Sequence, residues 1–149
     1  FHGDKEAGIE GIFTVGGSEK IQLGDWSEGE NPVMDVSRAI TALVDNGCLG
    51  ERVLVVSTDL WGKLHRIQPG TGTMEVDRVR SLVGNLFYSS RLEKGKAALL
   101  YCDPQNMDLV IGQDMITAYM GNEKLDHAFR VMETIVPRFK RPGAIAVLG

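Results

Sequence analysis

The sequence predicts an α+β fold, with helix, strand and helix through its first two-thirds and strands alone toward its end. Three observations carry this reading. Val33, Val36, Ile40, Leu43 and Val44 recur at helical spacing. Arg52-Val-Leu-Val-Val-Ser57 is a short, nearly continuous β-branched run. From Leu86 onward the periodicity changes to that of strands, without the regular βαβ alternation of a doubly wound sheet.

Residues 1–31 are rich in Gly, Asp, Glu and Ser, which predicts loops with one weak strand at Ile12-Phe-Thr-Val15. The first helix follows. Asn31 suits its N-cap, Pro32 its first position, and Asp35 its first turn, where a carboxylate favours the helix dipole. Asn46-Gly47 ends it, since both residues tolerate the left-handed conformation of a helix terminus. Arg52–Ser57 reads as a strand buried on both faces. Thr58 or Asp59 can cap the next helix, in which Leu60, Trp61 and Leu64 share a side. Gln68-Pro-Gly-Thr-Gly-Thr73 is a tight exposed turn. A helix from Glu75 to Val83 follows, with Val76, Val79 and Val83 turned inward.

Ala97–Cys102 and Met107–Gly112 flank the turn formers Asp103-Pro-Gln-Asn106 and predict a β-hairpin. Ala128–Lys140 predicts one long strand, where Pro137 requires an edge or a bend. Ala144–Leu148 predicts a last strand. No internal repeat or low-complexity tract is present.

The 149 residues suit one domain with a real core, and 43% hydrophobic against 24% charged residues is ordinary for a folded chain. A net charge of -4 would repel phosphate, which argues against nucleic acid as a partner. No apolar run approaches the roughly 18 residues a membrane span needs. Asp4, Lys5, Glu6 and Glu10 stand where a signal peptide would be apolar. Cys48 and Cys102 lack Cys-x-x-Cys or metal-ligand spacing and read as buried thiols of a reducing, cytoplasmic protein. The chain opens at Phe1, without methionine, in a Gly-rich polar stretch. That start reads as a loop within a longer polypeptide.

Candidate catalytic, cofactor and metal sites are weak. Gly70-Thr-Gly72 lacks the Lys-Ser/Thr of a phosphate loop and is parted from its strand by a helix. Ser57, Asp59 and His65 lack the Gly-x-Ser-x-Gly elbow that exposes a nucleophile. His2, His65 and His127 are too scattered for a metal signature. Gln113-Asp114 reads as a polar pair that satisfies backbone donors where the chain turns. Arg130, Arg138 and Lys140-Arg-Pro, interspersed with Glu123, Asp126 and Glu133, suit charge pairing between neighbouring copies. No catalytic, cofactor or metal residues are assigned.

Leu54-Val-Val-Ser-Thr-Asp-Leu60, Asp108-Leu-Val-Ile-Gly-Gln-Asp114 with Tyr119 after it, and Arg141-Pro-Gly-Ala-Ile-Ala-Val-Leu148 occur in order. In that order and spacing, across nearly the whole chain, the sequence resembles the C-terminal part of the encapsulins. These are linocin-type shell proteins with the phage-capsid-like (HK97-type) fold.

The resemblance implies a non-enzymatic shell protein that assembles, when full length, into an icosahedral nanocompartment in the cytoplasm. Cargo would be a ferritin-like protein or a peroxidase, recruited by a C-terminal targeting peptide. It implies a connecting loop at 1–14, an axial-type domain at 15–112 and returning strands of a peripheral domain at 113–149. The family's N-terminal arm, extended loop and spine helix precede the point that matches Phe1. Gln68, Pro69, Gly70, Thr71, Gly72 and Thr73 match the loop that lines the five-fold pore. Met115, Ile116 and Tyr119 match the groove for the cargo peptide. Two other readings are the major capsid protein of a tailed phage or prophage, and a bacteriocin or protease.

Overall fold

The computed structural model describes residues 1–68, 72–123 and 126–149. In chain order the elements are β1 (Gly3–Asp4), β2 (Ile9–Glu10), β3 (Glu19–Ile21), α1 (Asn31–Asp45), β4 (Glu51–Ser57), α2 (Thr58–Leu64) and α3 (Glu75–Val83). Then come β5 (Asn85–Ser89), β6 (Ala97–Cys102), β7 (Met107–Glu123), β8 (Asp126–Phe139), a 3₁₀ turn at Pro142–Ala144 and β9 (Ile145–Leu148).

A five-stranded sheet of order β3-β9-β6-β4-β5 forms the centre. It is mixed: β3 runs parallel to β9 and β5 parallel to β4, whereas β6 is antiparallel to both its neighbours. Alternation along the strands turns Leu54, Val56, Leu86, Ala97, Leu99, Ala146 and Leu148 to one face. The three helices close that face with Val36, Ala39 and Leu43 of α1, Leu60 and Leu64 of α2, and Val76, Val79 and Val83 of α3. Each buried aliphatic side chain there contributes on the order of 1.5–3 kcal/mol.

The other face is covered only at one end. Val15, Leu100 and Ile145 form a small cluster with Ile12, Met107 and Phe139, while Val53 and Val55 stay half-buried. β4 is therefore closed on one face alone, although its composition reads as buried on both. The early strand also moves: residues 12–14 form a turn, Val15 after it is buried, and the strand forms at Glu19–Ile21 by pairing with β9.

The expected hairpin between residues 97–102 and 107–112 does not form. Its turn is present, with Asn106 N–H bonded to Asp103 O at 2.8 Å. But β6 already has β4 on one edge and β9 on the other, which leaves β7 no edge to pair with. β7 instead leaves the sheet and pairs with β8 as a separate two-stranded ribbon. Asn106 fixes the departure. Its amide donates to Tyr101 O at 3.1 Å, and its carbonyl accepts the Lys140 and Arg141 N–H groups at 2.8 and 3.0 Å.

Polar residues around the helices do different work from that expected. Glu30 takes the N-cap position of α1, and the Asn31 amide donates back to Asp25 O at 2.8 Å. Asp35 is buried, accepting Gly24 N–H at 2.8 Å and Trp26 Nε1 at 2.9 Å, with Arg38 on its other oxygen. It anchors the preceding loop to the core. Val44 is exposed and Ala39 is buried in α1's inner stripe. Ser57 stands at the N-cap of α2, and the Asp59 carboxylate accepts Gly95 N–H at 3.0 Å. Asn46-Gly47 does end α1, with Gly47 at φ 71°. Cys48 is buried, whereas Cys102, expected to be buried, is exposed where β6 ends and the chain turns out of the sheet.

Candidate functional site

The β7–β8 ribbon runs from the Met107↔Phe139 pair to Glu123↔Asp126, far beyond the sheet's own strands. Register shifts fall between Ile111 and Gln113, Gln113 and Ile116, and Tyr119 and Gly121. Such bulges bend and twist a ribbon. Gln113-Asp114 therefore lies at a bulge inside a continuous strand, not at a change of chain direction.

Along the regular stretch 116–119, Thr117 and Tyr119 share a face with their partners Val131 and Phe129. Ile116 and Ala118 turn to the opposite face with Met132 and Arg130. Ile116 and Tyr119, expected in one groove, thus point to opposite sides, and Met115 sits in the bulge between Gln113 and Ile116. Tyr119 and Phe129 stack with ring centroids 5.3 Å apart, and the Tyr119 hydroxyl meets His127 Nδ1 at 3.0 Å. All three candidate groove residues are exposed, Met115 most of all at 65%. Leu109, Ile111, Met120, Phe129, Val131 and Ile135 are exposed too. Both faces of the ribbon are apolar and open to water.

The root of the ribbon carries an ion-pair cluster. Asp108 accepts Arg138 Nε and Nη2 at 2.9 and 2.6 Å, and Lys140 Nζ lies 2.7 Å away. Hydrogen bonds from Arg138 and then Lys140 hold the Asp108 carboxyl well below the usual carboxylate range. Arg138 and Lys140, expected to meet a neighbouring copy, are thus engaged by Asp108 within the chain. Beside this cluster an apolar cleft of about 490 Å³ separates the β1–β2 hairpin from Met107, Leu109, Pro137 and Phe139.

The second candidate is the loop between α2 and α3. Its base closes like a small hairpin: Ile67 bridges Met74, Gln68 N–H donates to Thr73 O at 2.9 Å, and Gly72 N–H to Gln68 O at 3.3 Å. Pro69, Gly70 and Thr71 lie outside the described residues. Gln68, expected to be exposed, is buried. In the amide orientation that satisfies both neighbours, its Nε2 donates to Gly29 O at 3.1 Å and to Glu75 Oε1 at 2.7 Å. Glu75 is fully buried and also receives Arg78 Nη1 at 3.2 Å. Sequence reasoning missed Glu75, because an acid in the first turn of a helix reads as a dipole partner.

The remaining polar candidates do not converge. Ser57 is buried, Asp59 faces Gly95, and His65 binds its own helix through Nδ1 at 2.8 Å from Trp61 O. His2 lies by Phe13 and Glu93, apart from His127 on the ribbon. Among the described residues no cluster of three or more His, Cys, Asp or Glu could hold a metal. No described helix is long and apolar enough to cross a membrane.

Comparison with known proteins places this geometry. The family model described as "Encapsulating protein for peroxidase", of the linocin type, matches residues 1–136. The type 1 encapsulin shell protein EncA of Myxococcus xanthus is 34% identical over 99% of this chain and 52% of its own length. A diheme-cytochrome-encapsulin shell fusion protein of Kuenenia stuttgartiensis is 38% identical over 99% of this chain and 41% of its own. The chain thus spans about half the length of the curated relatives it matches.

Among solved structures, a virus-like particle from Pyrococcus furiosus superposes with a TM-score of 0.83 at 28% identity, over 93% of this chain and 58% of that one. A Mycobacterium phage Che8 chain superposes at 0.66 with 13% identity, over 89% and 53% of the two chains, and shows the shared capsid-type fold alone. With the family model covering residues 1–136 and the relatives nearly the whole chain, this protein belongs to the encapsulin (linocin-type) family.

Proposed function

We propose that this chain is part of a shell subunit whose copies close into an icosahedral nanocompartment around cargo in the cytoplasm. The observation that carries the reading is the ribbon. Strands of 17 and 14 residues with apolar side chains open on both faces are marginal in water by themselves. Open patches of that kind mark surfaces that other protein covers. The relatives' names as shell proteins support the rest of the subunit and its neighbouring copies as that cover. A phage capsid role has less support, since the phage likeness is one of fold at 13% identity. No catalytic step is assigned to the chain.

In this reading the five-stranded sheet and its helices form the axial-type domain, and the ribbon from 107 to 139 belongs to the peripheral domain. β9, grouped from sequence with the peripheral strands, is here assigned to the axial sheet that it pairs with. Pro69, Gly70, Thr71, Gly72 and Thr73 line the five-fold pore with small neutral groups, while Gln68, buried at the loop base, does not reach it. Such a ring discriminates little by charge. A cargo targeting peptide docks on the ribbon face of Tyr119 and Phe129, with Met115 in the adjoining bulge, while Ile116 serves the opposite face. The cargo class is a redox or iron-handling protein. The family description names peroxidase, and one relative is fused to a diheme cytochrome.

Negative-stain microscopy of the full-length protein tests the shell. Closed hollow particles of uniform size are expected, and a stable monomer across a wide range of concentration and salt would sink the reading. Phe129→Lys should leave those shells assembled but empty of co-expressed cargo. Shells that still fill would remove the Tyr119 face from cargo binding.

A further inference from the structure

Glu75 opens α3 with no exposed surface, a rare position for a carboxylate unless donors meet it. Its Oε1 takes both the Arg78 guanidinium and the Gln68 amide, and its Oε2 has no hydrogen-bond partner among the described residues. The same groups reach outward to one segment. Arg78 Nη2 lies 3.3 Å from Glu30, and Gln68 donates to Gly29 O. Arg66 donates to Ser27 O and, at 2.6 Å, to Gly29 O. Lys63 closes on Asp25 at 3.0 Å. Side chains from α2, the loop base and α3 therefore all converge on residues 25–30, just ahead of α1.

Glu75 and Gln68 are the buried centre of this otherwise partly exposed network, so removing the Glu75 charge leaves polar partners stranded in a low dielectric there. Backbone bonds at Gln68 and Gly72 and from Glu75 N–H to Arg66 O at 3.1 Å close the loop base, and the side-chain network joins that closed base to residues 25–30.

We propose that Glu75 is a positioning residue for the base of the loop between α2 and α3: through Arg78 and Gln68 it fixes that base to Gly29 and Glu30 and thereby sets how readily solutes pass the pore. The effect on passage rests on the pore reading given above; the anchoring does not.

The test uses full-length shells carrying Glu75→Gln, which keeps the side chain's shape but removes the charge that holds Arg78. Arg78→Met is the second variant. Hydrogen exchange should become about tenfold faster in residues 66–75 and 25–30, the scale of one lost charge-assisted hydrogen bond, with β4 and β6 unchanged. Ion uptake into the shells should change as well. Exchange is also read on unassembled subunits, so an assembly defect does not silence it.

Unchanged exchange in both variants overturns the proposal. So does faster exchange spread equally over β4 and β6, which would make Glu75 a general stabiliser. Thr71→Asp in the same shells separates the two readings. If it speeds cation over anion uptake while Glu75→Gln leaves uptake unaltered, the link from anchor to passage fails and the pore reading stands. If Thr71→Asp alters neither, the pore reading fails, and local exchange alone upholds or overturns the anchor.

Discussion

Asp35 shows how much a single polar residue can hold in this domain. Its carboxylate is the acceptor for a buried indole and a loop N–H, and it faces Arg38 on its other side. Asp35→Ala strands Trp26 Nε1 in the core and should cost about 3 kcal/mol, the range for an orphaned buried donor plus a broken ion pair. Urea denaturation of the 149-residue chain would measure it, and Asp35→Asn, which keeps one acceptor, should recover part of the loss. A loss under about 0.5 kcal/mol, the range of an ordinary surface change, would show that the loop holds without it. Sequence gave the right residue the wrong task. Sequence places Asp35 in the first turn of α1, but it lies beyond that turn, and its partners Gly24 and Trp26 approach from a loop whose path no periodicity records. Glu75 was hidden in the same way.

Elements were more legible than their pairings. The helices at 31–45, 58–64 and 75–83 and the strands at 51–57, 126–139 and 145–148 follow from apolar periodicity and punctuation by Asn, Gly and Pro. The 97–112 hairpin was misread because pairing is a competition for edges. β6 is apolar enough to be taken from both sides, and its second partner, β9, lies more than forty residues further on. A local turn signal cannot foresee that. The ribbon this creates makes its own prediction. Ile116→Lys with Met132→Lys on one face should leave the unassembled chain's stability within about 1 kcal/mol, since exposed side chains give up few contacts. Sedimentation of the full-length variant should nevertheless show no shells. Shells of normal size would mean that this face meets no neighbour.

For the whole molecule, the division of labour is between a closed sheet and an open ribbon. The sheet has its own core on one face, so the 149-residue chain should keep that fold. The ribbon has almost nothing of its own, so the same chain should not close a shell. Light scattering should report small species for it, and regular closed particles would show that this half of the relatives' length is enough. The candidate groove was only partly legible at this scale. The motif around Tyr119 marked the strand, but which residues share a face depends on bulges that sequence does not announce.

β9 adds a consequence in time. It fills the slot between β3 and β6, and its neighbour Gly149 donates back to Ile21 O at 3.1 Å. Until residues 145–148 have left the ribosome, β6 keeps a bare apolar edge and β3 has no partner. The sheet therefore cannot close during synthesis of the segments before it, and the non-local pairing that completes it is of the slow kind. A nascent chain stalled before Ile145 has both ribbon strands synthesised but its sheet unfinished. The order of synthesis thus delays a competent subunit until β9 has emerged, when all the earlier segments are present to cover what the ribbon exposes.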